Sequence, residues 1–172
     1  MKALIVIDMQ NDFIDGALGT KEAVAIVPRV KQKIEEYQKR GDKIIFTRDT
    51  HRSDYLERHE GKMLPIPHCI YGTDGWMIPE TLDVPDCRYI DKDTFGWPFW
   101  GNNNTLSVFE PDMEIVGLCT DICVVSNALI LRSMYPECDI TVDASCCAGT
   151  TPEKHMAALE VMKSCQINII NE

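Results

Sequence analysis

Positive charge is scarce in this chain. Seventeen Lys and Arg stand against 27 Asp and Glu in 172 residues, a net charge of −10. There is no contiguous basic tract. The densest stretch, Arg29, Lys31, Lys33, Lys39 and Arg40, is interleaved with Glu35 and Glu36 and reads as the solvated face of a helix. Nucleic acid needs clustered Lys and Arg to neutralise its phosphates, so it is not expected as the main partner. Long apolar runs are missing too. Ala3 to Ile7 ends at Asp8, too short for a signal-peptide core or a membrane span. Several motifs are also absent: Cys-x-x-Cys, a Cys followed six residues later by Arg, His-Glu-x-x-His, Gly-x-Ser-x-Gly, a Walker A loop and Gly-x-Gly-x-x-Gly. Their chemistries drop out with them.

What is present is a globular composition, 45% apolar and 26% charged, enough for one domain over residues 1–172 with a full core. Eight cysteines (69, 87, 119, 123, 138, 146, 147 and 165) would suggest disulfides in a small secreted chain. In a chain of this size, with several of them inside apolar runs, the expectation is reduced thiols and a cytoplasmic protein.

Short apolar runs alternate with helical patterns. Strands are expected at Ala3–Ile7, Lys43–Thr47, Arg88–Ile90, Ile115–Leu118, Ile140–Val142 and Ile167–Ile170. Pro28 is expected to open a helix with Val30, Ile34 and Tyr37 inward, stopped by Gly41. Another helix is expected around Thr105 to Phe109. Thr151-Pro152 should open a last one, with Met156, Leu159 and Met162 inward. Residues 50–87 read as irregular. This alternation indicates a parallel sheet covered on both faces, in which ligands bind beyond the carboxyl ends of the strands.

Polar residues gather at those ends: Asp8, Asp49 with His51, Lys92, and Cys123. Cys123 follows a buried strand and should sit in the first turn of a helix capped by Asp121. There the unpaired N–H groups and the helix dipole lower a thiol's pKa, to about 3.5–7.5 in known cases, and can hold a developing oxyanion. A buried structural cysteine is the competing reading. Asp49-Thr-His51 and His68 offer one carboxylate and two imidazoles, a set suited to zinc, manganese or iron, with Glu57, His59 or Glu60 able to add a ligand. A solvated loop with incidental histidines is the alternative. Asp8 is equally readable as a cap, Lys92 as a surface charge, and Phe95, Trp97, Phe99 and Trp100 as core or interface.

Taken together, these motifs resemble the isochorismatase-like cysteine hydrolases. Asp8 in Ile-Asp-Met-Gln-Asn-Asp-Phe13, Lys92, and Cys123 in Gly-Leu-Cys-Thr-Asp-Ile-Cys-Val are similar to that family's Asp/Lys/Cys triad. Arg-Asp49-Thr-His51 and Pro-His68-Cys-Ile-Tyr-Gly-Thr resemble the metal-binding nicotinamidase branch. Pro65 stands where nicotinamidases often carry an aromatic. The resemblance implies a three-layer α/β/α fold with a mainly parallel, Rossmann-like sheet. It implies hydrolysis of nicotinamide to nicotinate and ammonia through a cysteine thioester, with Asp8, Lys92 and Cys123 catalytic. The backbone N–H groups of Cys119 and Cys123 would form the oxyanion hole, with a cis peptide at Leu118–Cys119. A divalent ion, zinc first, would be held by Asp49, His51, His68 and Glu60, with Phe13 and Phe95 flanking the substrate ring. A small amide substrate and a homo-oligomer are the expected partners, with no membrane. A metal-independent hydrolase of another amide or a ureido compound, and a catalytically silent binding protein, are the alternatives.

Overall fold

The computed structural model describes residues 2–85, 87–101, 106 and 112–172. Six strands form one sheet: β1 (Ala3–Ile7), β2 (Lys43–Asp49), β3 (Arg88–Lys92), β4 (Met113–Leu118), β5 (Ile140–Ala148) and β6 (Asn168–Ile170). Every pairing is parallel, in the order β3-β2-β1-β4-β5-β6. All six expected strands are present, and four of them run longer than the apolar runs that announced them. β2 and β3 extend into Asp49 and Lys92, which are register partners. The order reverses between β1 and β4, where an open sheet of this kind leaves a crevice at its carboxyl edge.

Side-chain alternation builds the layers. Ala3, Ile5 and Ile7 face the core formed with Val124, Ala128 and Leu131 of the Cys123 helix and Leu159 and Met162 near the C-terminus. Leu4 and Val6 face Ala23, Ile26, Val30, Ile34 and Tyr37. β1 is therefore buried on both sides, each large side chain contributing about 1.5–3 kcal/mol relative to exposure.

Between β1 and β2 lie α1 (Asn11–Ile14) and α2 (Lys21–Arg40). The helix expected from Pro28 starts earlier. Thr20 is its cap, the hydroxyl accepting from the Ala23 N–H at 3.0 Å, and Pro28 lies inside. Ala23 and Ile26 extend the apolar stripe back through two further turns, and that burial outweighs the proline's lost hydrogen bond. Gly41, left-handed at φ 68°, ends the helix as expected. Lys33 departs from the solvated face, ion-paired to Glu114 at 2.6 Å and Asp143 at 2.8 Å.

Residues 50–87 are not wholly irregular, since α3 (His59–Met63) sits among their turns. The helix expected around Thr105 to Phe109 lies outside the described residues, apart from Leu106, which is buried. After β4 a π-type turn, Thr120–Val124, leads into α4 (Val125–Met134). α5 (Pro152–Ser164) opens at Thr151 as expected, but Met156 is exposed and Ala158 takes its inward place beside Leu159 and Met162. Among the described residues no helix is long and apolar enough to cross a membrane.

Candidate active site

β1 is followed directly by Asp8, whose backbone takes a left-handed φ of 46°. Its N–H donates to the Thr47 carbonyl, and the Thr47 hydroxyl donates back to Asp8 Oδ1 at 2.6 Å. The other carboxylate oxygen lies 2.6 Å from Lys92 Nζ, which also reaches Cys123 Sγ at 3.7 Å and Asp49 Oδ1 at 3.8 Å. Asp8, Lys92 and Cys123 come from three separate strand ends and are all buried. Lys92 as a surface charge and Cys123 as an isolated core thiol are thereby set aside.

The electrostatics correct one expectation. Burial pushes the Cys123 thiol well above its ordinary value; Lys92 opposes this, while Asp8 and Asp49 add to it. The resting group is a neutral thiol, not the free thiolate expected from a helix N-terminus, because desolvation outweighs the ammonium. Burial also raises Asp8 despite Lys92, with Asp49 adding to the rise, which makes it a stronger proton acceptor than an ordinary carboxylate. Lys92 is shifted upward; burial works against it, but Asp8, Cys123 and Asp49 prevail, so it is an ammonium.

The turn after β4 also differs from expectation. Cys119, not Asp121, stands at the N-cap position, following a cis Leu118–Cys119 peptide. The Cys119 carbonyl accepts from the N–H groups of Ile122 and Val124. Asp121 turns instead to Thr150, accepting from its N–H at 2.8 Å and its hydroxyl at 2.6 Å.

Beside this group, one ligand atom from each of Asp49, His51, Glu60 and His68 converges within 4.8 Å. Two loops meet here: the His51 N–H donates to the Cys69 carbonyl, and the Tyr71 N–H donates to that of His51. α3 presents Glu60, while His59 lines an outer groove and Glu57 points to solvent. His68 Nδ1 is 2.8 Å from the Ile66 carbonyl, which assigns the proton to Nδ1 and leaves the Nε2 lone pair facing the cluster. His51 Nε2 is buried without a hydrogen-bond partner, although 2.9 Å from Asp49 Oδ2. A buried ring nitrogen left without a hydrogen bond, beside a carboxylate, can turn toward a cation. The donor set, two imidazoles and two carboxylates, fits a divalent metal.

A cavity of about 170 Å³ joins the two groups. Asp49, Glu60 and His68 line one part, Cys119 and Cys123 another, with Phe13, Leu64 and Ile122 as apolar walls. Phe95, half-exposed, and Met63 stand at its junction with an outer groove of about 610 Å³. Binding sites for drug-sized molecules run to roughly 300–1,000 Å³, so the inner cavity suits a much smaller ligand.

Three positioning groups escaped the sequence reading. Gln10, fully buried, donates from Nε2 to the carbonyls of Asp49 at 2.8 Å and Trp76 at 2.9 Å, and accepts from the Asp49 N–H at 2.7 Å. Asp12 accepts from the Cys69 N–H, next to His68, at 2.7 Å. Asn127, also buried, donates to the Cys123 and Phe95 carbonyls and accepts from the Trp97 N–H and the Trp100 indole. It was detectable as a lone amide four residues after Cys123 on an apolar stripe. The aromatic group divides accordingly: Trp100 is core, Phe95 and Phe99 are about half-exposed.

The isochorismatase domain family matches residues 2–171. A nicotinamidase of Schizosaccharomyces pombe is 25% identical, over 99% of this chain and 93% of its own length. A probable inactive nicotinamidase of Arabidopsis thaliana is 31% identical, over 94% of this chain and 88% of its own. Among solved structures, the pyrazinamidase of Pyrococcus horikoshii in complex with zinc superposes with a TM-score of 0.81 at 28% identity, covering 99% of both chains.

Proposed function

The chain belongs to the isochorismatase family and is a hydrolase acting on amides, and from that premise we propose that it is a metal-dependent nicotinamidase, releasing nicotinate and ammonia for NAD salvage. The observation that carries this reading is the adjacency, around one small cavity, of the Asp8/Lys92/Cys123 group and the Asp49/His51/Glu60/His68 cluster. A hydrolase of ureido compounds would need only the first. The likeness to nicotinamidases and to a zinc-containing pyrazinamidase supports the second.

Cys123 Sγ attacks the carboxamide carbon as its proton passes to Asp8, the carboxylate that shares Lys92 with the thiol. Lys92 keeps its charge throughout and steadies first the carboxylate and then the departing thiol proton's site. The backbone N–H groups of Cys119 and Cys123 receive the developing oxyanion. Asp8 returns the proton to the amide nitrogen, the C–N bond breaks, and ammonia leaves a thioester on Cys123. Water then adds to the thioester as Asp8 accepts its proton, the C–S bond breaks to release the acid, and Asp8 returns the proton to Cys123 Sγ. Phe13 and Phe95 flank the ring. Asp49, His51, Glu60 and His68 would hold the ion, zinc before manganese or iron. When bound, it supplies a Lewis-acidic anchor for the ring nitrogen.

Ammonia release from a panel of nicotinamide, aliphatic amides and ureido compounds, with elemental analysis of the same sample, tests the reading. Nicotinamide should be preferred, and chelation should suppress its turnover. Stoichiometric absence of metal with full activity in chelator would sink it. A protein that binds nicotinamide without releasing ammonia would identify a silent binder, as the name of the Arabidopsis relative suggests for that protein.

A further inference from the structure

His155 lies in the first turns of α5, and no step above uses it. Its Nδ1 is 2.8 Å from the Thr120 hydroxyl. Thr120 is wholly buried, between Cys119 and Asp121, inside the turn whose amides are assigned to the oxyanion. The neighbouring Asp121 is tied to Thr150 by two hydrogen bonds. Both anchors belong to the β5–α5 junction, so one side of the turn is fastened twice to the same support. That support is capped and packed. Thr151 caps α5, its hydroxyl accepting from the Lys154 N–H at 3.2 Å, and Leu159 and Met162 are fully buried.

The approach is close enough to require glycine beside it. A Cβ at Gly149 would lie 2.9 Å from the backbone N and from Cβ of His155, and 3.0 Å from Asp121 Oδ1. Contacts this near to both tethers mean that they share one packed joint. Burial holds the imidazole below the ordinary histidine range, with Asp121 opposing. Near neutral pH the ring is uncharged, so it fixes a position and adds no field.

We propose that His155 is a positioning residue for hydrolysis: through Thr120 it locks the Cys119–Cys123 turn to α5, and so holds both backbone amides on the oxyanion. The inference rests on the reading of those amides given above. A donor displaced by about 1 Å costs up to roughly 10²-fold in rate, without contact between the displaced support and the substrate.

The test compares wild type with His155→Ala, Thr120→Val, the double variant and His155→Asn, each as the full chain loaded with metal. Turnover is followed on whichever amide of the panel the wild type hydrolyses. Failure with nicotinamide alone then removes the substrate assignment and leaves this comparison standing. His155→Ala and Thr120→Val should each lower kcat roughly 10- to 100-fold, with KM nearly unchanged. The double variant should be no slower than the slower single one, since both remove one contact. His155→Asn, whose amide can stand where Nδ1 stood, should recover most of the rate. Alkylation of Cys123 by iodoacetamide should be unchanged in all four, because thiol activation belongs to Asp8 and Lys92. Undiminished kcat, multiplying losses in the double variant, no recovery with Asn, or alkylation falling in parallel would each overturn the proposal. Should Thr120→Val not fold, Thr120→Ser keeps the hydroxyl and must keep the rate.

Discussion

A neutral thiol between a lysine and a strengthened carboxylate behaves differently from a free thiolate. Its alkylation rate depends on Asp8 taking the proton, so Asp8→Asn should alkylate at Cys123 more slowly than wild type near neutral pH, although the side chain keeps its size. Equal rates would remove Asp8 as the acceptor. Cys123→Ala should abolish turnover while the fold persists; Cys119→Ala should retain most activity, because only its backbone is used. Gln10 makes a separate prediction. It grips Asp49 at both N–H and carbonyl, so Gln10→Ala should weaken zinc binding by about 10-fold or more, read by competition with a chromophoric chelator. Unchanged zinc affinity would reduce Gln10 to a packing residue.

Among the elements, β4 and α2 carry the clearest consequences. Gly117 has φ 125°, and a Cβ there would meet the Ile7 carbonyl oxygen at 2.0 Å, beside a register shift between β4 and β5. Gly117→Ala should cost at least about 3 kcal/mol and displace the Cys119 turn, a loss visible in both Tm and activity. In α2 the proline is exposed and internal. Pro28→Ala should therefore stabilise by roughly 1–3 kcal/mol in denaturant titration, whereas Thr20→Ala should cost about 1 kcal/mol. Both positions belong to a helix start that the sequence hid, whereas the strands were readable in it. Strands and their polar ends followed from apolar runs stopped by Asp8, Asp49, Lys92 and the Cys119 turn, because a buried strand tolerates polarity only where it emerges. Pro28 misled because proline's preference for a first turn is local, while Ala23 and Ile26 pack against distant strands. Asp121 misled for a similar reason: Thr150 competes for its carboxylate across 29 residues. Gln10 and Asp12 carry no periodic signal at all, and only the meeting of loops gives them partners.

At the scale of the whole molecule, one charged network fastens a helical layer to the sheet. Lys33 of α2 bridges Glu114 of β4 and Asp143 of β5, and the Tyr37 hydroxyl donates to Glu114 at 2.7 Å. Burial pushes the Asp143 carboxyl up, but Lys33 and Ser145 pull it below its ordinary value. Burial disfavours charge on Lys33 too, yet Asp143 and Glu114 hold it above its own. A depressed acid stabilises the fold above its unfolded pKa, about 3.9, and loses that contribution as pH falls through the folded value. A raised lysine contributes fully below about 10.4 and loses it as pH rises through its folded value. The tie is therefore intact around neutrality. Lys33→Met should lower Tm there, with the gap to wild type narrowing in acid as the carboxyls protonate. A gap that stays constant down to about pH 3 would mean the network adds nothing to stability.

The protonated state of Cys123 also bears on how the protein ages. Peroxides attack thiolates far faster than thiols, and none of the eight cysteines is held in a disulfide. Concealed and undissociated, Cys123 should outlast the half-buried Cys165 during exposure to dilute peroxide, in sulfenic-acid trapping followed by peptide mass mapping. Catalytic competence would then decline later than the first oxidised mass appears.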